Sequence, residues 1–192
     1  MHTLSTSFVL GYHGCDRNVA DRVLSGEPFV PSQNTYDWLG HGIYFWESNP
    51  RRGLEFAEEL MEAPRGTPRI SFPTVVGAII DLGVCLDLTT SAGLSQLAIG
   101  YDVLRQIADK SPSRKIPTNK GLRRNLDCAV LNTVRQILER EHIRIDTVKA
   151  AFIEGEPVYP TANFYRKTHI QICVCEPDQI KGVFRVPVTS LR

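Results

Sequence analysis

The apolar residues of this chain recur with two different periods, and each period predicts a different kind of element. Short runs rich in β-branched and aromatic residues predict strands, at residues 7–13, 43–46, 74–82, 84–88, 147–153, 169–175 and 183–188. Apolar positions three and four residues apart predict helices, at residues 18–24, 91–110 and 125–142 and in a segment that begins near residue 48. Because strands and helices do not alternate strictly, the pattern favours the α+β fold class over a doubly wound sheet.

Polar residues and prolines predict where two of the helices start. Asp16 precedes the first helix, where an aspartate can accept a hydrogen bond from a backbone N–H of the first turn. Ser48 is placed to cap the second helix, and Pro50 suits its first turn because no intrahelical partner is needed there. Residues 31–38 hold prolines and polar residues without a period, which predicts an ordered loop.

Composition restricts the classes of function. The chain has 192 residues, of which 42% are apolar and 22% charged, and this is ordinary for one globular domain over residues 1–192. A net charge of +1 gives the whole molecule no bias toward nucleic acid, so any basic binding surface must be local. A signal peptide and a run of ~18 apolar residues are both missing, so we expect a cytoplasmic protein with no membrane partner. The five cysteines lack the spacing of metal ligands, which predicts reduced thiols and no metal site.

Three short segments carry the chemistry that stands out. They are YHG at residues 12–14, GIYF at residues 42–45 and THIQICV at residues 168–174. In this order and spacing they resemble the core motifs of the ADP-ribosyltransferase superfamily, of the diphtheria-toxin and poly(ADP-ribose) polymerase type. The resemblance implies an ADP-ribosyltransferase-like split β-sheet core with flanking helices, and NAD as the substrate.

The resemblance also implies a role for each residue of the motifs. His13 would hydrogen-bond a ribose hydroxyl, and the backbone of Gly14 would pair with the nicotinamide carboxamide. Tyr44 would stack on the nicotinamide ring, and Phe56 would supply the second ring of a sandwich, since a cationic pyridinium favours aromatic faces. Each residue has a structural interpretation too: a histidine near a strand end is often satisfied by the backbone, and aromatic residues at these spacings often pack in the core.

Further candidates follow from the same resemblance. Relatives place a loop over the dinucleotide, and residues 31–38 occupy that stretch; the candidates in it are Asn34, Tyr36 and Asp37. Arg51 and Arg52, at the start of the next helix, would face the pyrophosphate.

Gln171 departs from the pattern of the family. Relatives that polymerise ADP-ribose, and most bacterial toxins, carry a glutamate at this position, where its charge stabilises the ribosyl cation. Glutamine keeps the hydrogen bonds and loses the charge, which favours transfer of a single unit over polymer growth. The expected function is therefore mono-ADP-ribosyl transfer, and the alternatives are an NAD glycohydrolase and a non-catalytic module that binds NAD or ADP-ribose.

Other residues could replace the missing charge. Glu154 and Glu156 form an EGE turn fifteen to seventeen residues before Gln171, comparable with the ExE loop of arginine-modifying relatives. The Ser-Thr-Ser strand of that branch is absent here, and two glutamates in a turn are most often solvated. His169 shares a strand face with Gln171 and is either a base or a residue with a backbone partner.

A basic segment spans residues 110–124 and contains no acidic residue. Its cations are Lys110, Arg114, Lys115, Lys120, Arg123 and Arg124. Such a segment could contact the phosphates of RNA or DNA or an acidic protein, yet it lacks aromatic residues for stacking bases and could be a flexible loop. We expect a macromolecular acceptor, nucleic acid or protein. The family also includes bacterial toxins and defence effectors, which would imply a neutralising antitoxin protein as a partner.

Overall fold

A computed structural model describes residues 8–63, 70–110 and 115–191. Within these ranges the elements are β1 (Phe8–Asp16), α1 (Arg17–Leu24), β2 (Ile43–Glu47), α2 (Pro50–Glu62), β3 (Pro73–Asp81), β4 (Cys85–Asp87), α3 (Ser91–Asp109), α4 (Asn125–Arg140), β5 (Thr147–Phe152), β6 (His169–Val174) and β7 (Ile180–Arg185). The strands form one sheet in the order β4-β5-β6-β2-β1-β3-β7, in which only β4 and β5 are parallel neighbours. The predicted α+β class is confirmed.

The start of α1 is as predicted, and the start of α2 is one residue later. Asp16 caps α1 by accepting from the amide of Asn18 at 3.0 Å. Asn49, not Ser48, caps α2, because its side chain accepts from the amide of Arg52 at 3.0 Å. Ser48 instead adopts a left-handed conformation with φ of 51°, and its own amide donates to the Leu10 carbonyl at 2.8 Å.

Two predicted strands shift or lie partly outside the described residues. The strand predicted at residues 183–188 is wrong in position: β7 ends at Arg185, whose partner on β3 is Val76. Pro187 follows soon after and has no N–H for a ladder, which explains why pairing stops there. The strand predicted from residue 7 begins at Phe8 in the described chain, and residue 7 lies outside the described residues.

The sheet is continuous and is not split in two, but its pairing nearly fails in one place. β1 and β3 pair over nine residues, whereas β1 and β2 pair only at Gly11 with Glu47 and at Tyr12 with Trp46. Beyond Tyr12 the two strands diverge, and the His13 side chain crosses the gap to the backbone of Tyr44. This divergence opens a space at the centre of the sheet.

Both faces of the sheet are covered. One apolar cluster joins the α1 residues Ala20 and Val23 to Phe45 and to its neighbours on β1, β3 and β6. A second cluster on the opposite face joins α4 to β4, β5 and β6 and includes Cys173. α2 shares that second face, since Gly53 comes close to the ring of Trp46. The site described below lies on this face, beside α2.

Register decides which side chains meet on the second face. In the β2–β6 pair, Trp46 lies opposite Gln171 and Tyr44 lies opposite Cys173. Since alternate residues of a strand share a face, Tyr44, Trp46 and Gln171 point the same way. All five cysteines are free thiols, and no helix in the described ranges is both long and apolar enough to cross a membrane.

Candidate active site

A cleft of about 430 Å³ opens where β1 and β2 diverge. β2 and β6 supply its floor, while α2 and the loops around residues 30–38, 122–123 and 154 supply its walls. Most of the predicted site residues line it, namely His13, Gly14, Asn34, Tyr36, Asp37, Tyr44, Arg52, Phe56, Glu154 and Gln171. Side chains from the beginning, the middle and the end of the chain therefore meet in one cleft.

Three candidates are not brought into the cleft. Glu156 is exposed beyond the turn that carries Glu154. Arg51 points along the outside of α2, where it pairs with Glu55 at 3.1 Å. His169 is buried behind the cleft, where its Nδ1 donates to the Lys167 carbonyl at 2.7 Å, and this is the backbone-partnered alternative for that residue.

His13 is held as a neutral imidazole with one defined acceptor. Its Nδ1 lies 2.8 Å from the carbonyl oxygen of Tyr44, and since a carbonyl only accepts, Nδ1 carries the proton. Burial lowers the pKa of His13, and the hydrogen bond to Tyr44 opposes that shift only in part. The rings of Phe29 and Phe45 pack against the imidazole at 5.2 and 5.6 Å between centroids. Nε2 is thus an acceptor whose position is fixed.

Tyr44 offers the cleft a ring and no reactive hydroxyl. Its hydroxyl donates to the Gly40 carbonyl at 2.6 Å and accepts from the Leu39 amide at 2.8 Å. Burial raises the pKa of Tyr44, with the neighbouring Cys173 thiol contributing, so the phenol stays protonated. The two hydrogen bonds fix the ring while one side of it lines the cleft.

We expect Tyr44→Phe to lower the free energy of unfolding by about 1–3 kcal/mol, because the Leu39 amide and the Gly40 carbonyl lose a buried partner. Urea denaturation measures this change. Tyr101→Phe, on the exposed side of α3, is the matched control and should leave the midpoint unchanged. Equal midpoints for the two variants would mean that the hydroxyl does not hold the Tyr44 ring.

Gly14 has a packing role that the sequence did not reveal. A β-carbon built on Gly14 would overlap the carbonyl oxygen of Gly53 in α2. The absence of a side chain therefore lets α2 lie directly on β1, and this contact alone accounts for the glycine. The residue type therefore has an explanation in packing that needs no ligand.

Trp46 is a cleft residue that the sequence analysis missed. It is 2% exposed, and its ring centroid lies 4.8 Å from that of Phe56 at an interplanar angle of 45°. Phe56 therefore packs on Trp46, and Phe56 also lines the cleft. The alternation of side-chain directions along β2 could have identified Trp46, because it lies two residues after Tyr44 and therefore on the same face.

Arg52 is engaged within the protein. Its side chain is 6% exposed and pairs with Glu154 and with Glu59, each at 3.3 Å. Lys167 also contacts Glu59 at 2.8 Å, and His169 lies 3.6 Å from Glu154. Burial lowers the pKa of His169, so that imidazole is neutral beside the carboxylate. Arg52 thus joins α2 to the β5–β6 turn, and two of its three guanidinium nitrogens are paired with carboxylates of the protein.

Several polar atoms of cleft-lining residues are buried without a partner. Among the described residues, nothing hydrogen-bonds Gln171 Oε1, Trp46 Nε1 or Arg52 Nε. A buried polar atom left unpaired costs about 1–3 kcal/mol, so native proteins rarely keep such atoms without a use. Two donors and an acceptor therefore lie unpaired within the residues that line the cleft.

The loop at residues 31–38 contributes a buried carboxyl group to the wall of the cleft. Asp37 accepts from the Asn34 amide at 3.0 Å, and Asn34 donates to the Ser32 hydroxyl at 2.9 Å. Ser32 pairs through its backbone with Gly42 at the start of β2. Burial raises the pKa of Asp37, and the hydrogen bonds from Ser32 and Asn34 oppose this.

Comparison with known proteins leaves the family open. No family model matches the chain, and no solved structure matches it. A stretch of 36 residues is 47% identical to MJ0359, an uncharacterized protein of Methanocaldococcus jannaschii. That stretch covers 19% of this chain and only 17% of the archaeal protein, so the similarity is confined to a small part of each.

Proposed function

We propose that this protein is a mono-ADP-ribosyltransferase that takes ADP-ribose from NAD and transfers it to a macromolecule. One observation carries the proposal: His13, Tyr44 and Gln171, from three distant segments, line the same cleft at the divergence of β1 and β2. These are the positions at which the motifs resemble those of ADP-ribosyltransferases. The order of the motifs and the shared cleft are independent of each other, and together they support this function best.

The cleft suits the nicotinamide end of NAD. Tyr44 and Phe56 present ring faces, and a cationic pyridinium between such faces gains cation–π attraction that neutral ligands lack. His13 Nε2 would accept a hydrogen bond from a ribose hydroxyl. Gln171, which also lines the cleft, would use its amide on the same sugar.

The proposed reaction transfers ADP-ribose from the nicotinamide nitrogen to an atom of the acceptor. The bond between the ribose C1′ and the nicotinamide nitrogen breaks, and its electron pair leaves with nicotinamide. A lone pair on an oxygen or nitrogen of the acceptor forms the new bond to C1′, and the acceptor loses a proton. Glu154 is a carboxylate that lines the cleft, and it would take that proton as a general base. The positive charge at C1′ would be stabilised only weakly by the neutral Gln171.

We expect Gln171→Glu to raise the rate of nicotinamide release at least about tenfold, since a charged group aimed at a developing cation is worth a few kcal/mol of barrier. Release of nicotinamide from NAD by the pure protein, followed with and without RNA, DNA or cell extract, measures the rate. Thermal unfolding should change little. Gln106→Glu, on the exposed side of α3, is the matched control. An unchanged rate for Gln171→Glu would remove that residue from the site.

The same assay separates the transferase from its alternatives. Release that requires an added acceptor supports the transferase. Steady release without any acceptor identifies an NAD glycohydrolase, because water then receives the ribosyl group. Saturable binding of NAD without release identifies a binding module, which is the alternative that the neutral Gln171 favours.

A further inference from the structure

Two distant segments of the chain meet at the mouth of the cleft. Tyr36 and Trp38 come from the loop before β2, and residues 120–124 come from the segment before α4. The guanidinium of Arg123 lies 5.0 Å from the centre of the Tyr36 ring, and that of Arg124 lies 5.1 Å from the Trp38 ring. We call Tyr36, Trp38 and residues 120–124 the basic rim. The aromatic partners that the sequence of the basic segment lacks are supplied by the other loop.

Hydrogen bonds join the two segments of the basic rim. The indole of Trp38 donates to the Leu122 carbonyl at 2.8 Å, and the Arg124 amide donates to the Tyr36 carbonyl at 3.4 Å. Lys120 and Arg123 exchange backbone hydrogen bonds at 2.9 and 3.0 Å, which closes a tight turn. These contacts place the backbone that carries the cations beside the cleft. Arg114, which the sequence analysis assigned to the same segment, lies outside the described residues.

The charges of the basic rim are free to contact a partner. Lys120 and Arg123 are exposed, and none of the salt bridges among the described residues includes them or Arg124. Leu122 is 70% exposed at the same place and lines the cleft together with Arg123. An uncompensated positive rim therefore leads directly into the site.

We propose that the basic rim binds a single-stranded polynucleotide and presents one of its nucleotides to the cleft as the acceptor. Cations attract phosphates, while aromatic rings and planar guanidinium groups provide flat surfaces on which bases stack. An acidic protein would need the cations alone, whereas guanidinium planes held over the Tyr36 and Trp38 rings offer stacking surfaces and favour nucleic acid. A single strand fits better than a duplex, because a base must leave its stack before its atoms can reach a cleft floor. The role of the bound strand as an acceptor rests on the proposed transferase function.

The test is binding of fluorescein-labelled oligonucleotides of about twelve nucleotides, a length within the usual site size. Fluorescence anisotropy compares single-stranded RNA, single-stranded DNA, the duplex of the same sequence and a glutamate-rich peptide. We expect either single strand to bind more tightly than the duplex and the peptide. With about three phosphate contacts, Kd should rise roughly 20-fold between about 50 and about 200 mM salt. Tighter binding of the duplex or of the peptide, or no salt dependence, overturns the proposal.

Variants locate the binding surface. Arg123→Ala and Arg124→Ala should each raise Kd for the single strand about tenfold, since each removes a charge and a flat surface. Lys120→Ala, which alters an exposed side chain, should raise Kd about threefold and serves if an arginine variant does not fold. Lys181→Ala, on the outer strand β7, is the matched control and should bind normally. Normal binding by the three rim variants would place the interface elsewhere.

The two proposals fail in different ways. NAD binding without oligonucleotide binding by the unaltered protein overturns the role of the basic rim and leaves the transferase proposal standing. Oligonucleotide binding that passes these tests, without any release of nicotinamide, overturns the transferase and leaves the rim as a nucleic-acid surface. If both ligands bind, a covalent adduct on the oligonucleotide, detected by mass spectrometry as one added ADP-ribose, joins the two.

Discussion

Gly14→Ala is expected to destabilise the protein by about 3 kcal/mol or more, although it adds only one methyl group. Overpacking usually costs about 1–3 kcal/mol because a neighbouring side chain can shift. Here the neighbour is the carbonyl oxygen of Gly53 in α2, and a backbone atom of a helix can move only if the helix moves. Urea denaturation should show a large decrease in the midpoint with an unchanged dependence on denaturant.

Gly53→Ala, on the other side of the same contact, is the matched control. Its β-carbon would lie 3.1 Å from a methyl group of Val75, which can yield by a few tenths of an ångström. We expect a clearly smaller loss of stability. If Gly14→Ala proved as stable as the unaltered protein but no longer bound NAD, close approach of the ligand would explain the glycine and packing would not.

Most elements of the fold could be predicted because their causes are local. The period of apolar residues and the cap at Asp16 act within one turn or one strand, so α1 and the start of α4 lie where the sequence indicates. The end of β7 was predicted wrongly because the apolar run continues to Val188, whereas pairing stops before Pro187, which has no N–H for the ladder. The sheet is continuous because Gly11 and Tyr12 of β1 pair with β2. The sequence of neither strand indicates that pairing.

The candidate site likewise contains residues that the sequence identifies and contacts that it does not. His13, Tyr44 and Gln171 follow from motifs whose order along the chain is visible in the sequence. The pairing of Arg52 with Glu154 joins residues 102 positions apart, and no local pattern indicates it. The same holds for the rings of Tyr36 and Trp38 beneath the arginines of the basic rim. Sequence reasoning therefore identified residues of the cleft but not the partners that decide what each residue is free to do.

Arg52→Met is expected to lower the free energy of unfolding by about 3–5 kcal/mol. Methionine fills much of the same volume, but it leaves Glu154, which is 18% exposed, without its buried cation. Arg51→Met is the matched control on the adjacent residue, since its pair with Glu55 is largely exposed and such pairs contribute at most about 1 kcal/mol. Urea denaturation of both variants measures the difference.

A double-mutant cycle identifies the cause of that loss. If the unpaired carboxylate is responsible, Arg52→Met combined with Glu154→Gln should be more stable than Arg52→Met alone, because the second change removes the stranded charge. If Arg52 acts mainly through its packing on Trp46, the two losses should add. The cycle also bears on function, since Arg52 ties the turn that carries Glu154 to α2. An Arg52→Met single variant that stays folded, keeps Glu154 and no longer releases nicotinamide from NAD would show that the same ion pair holds the proposed base in place.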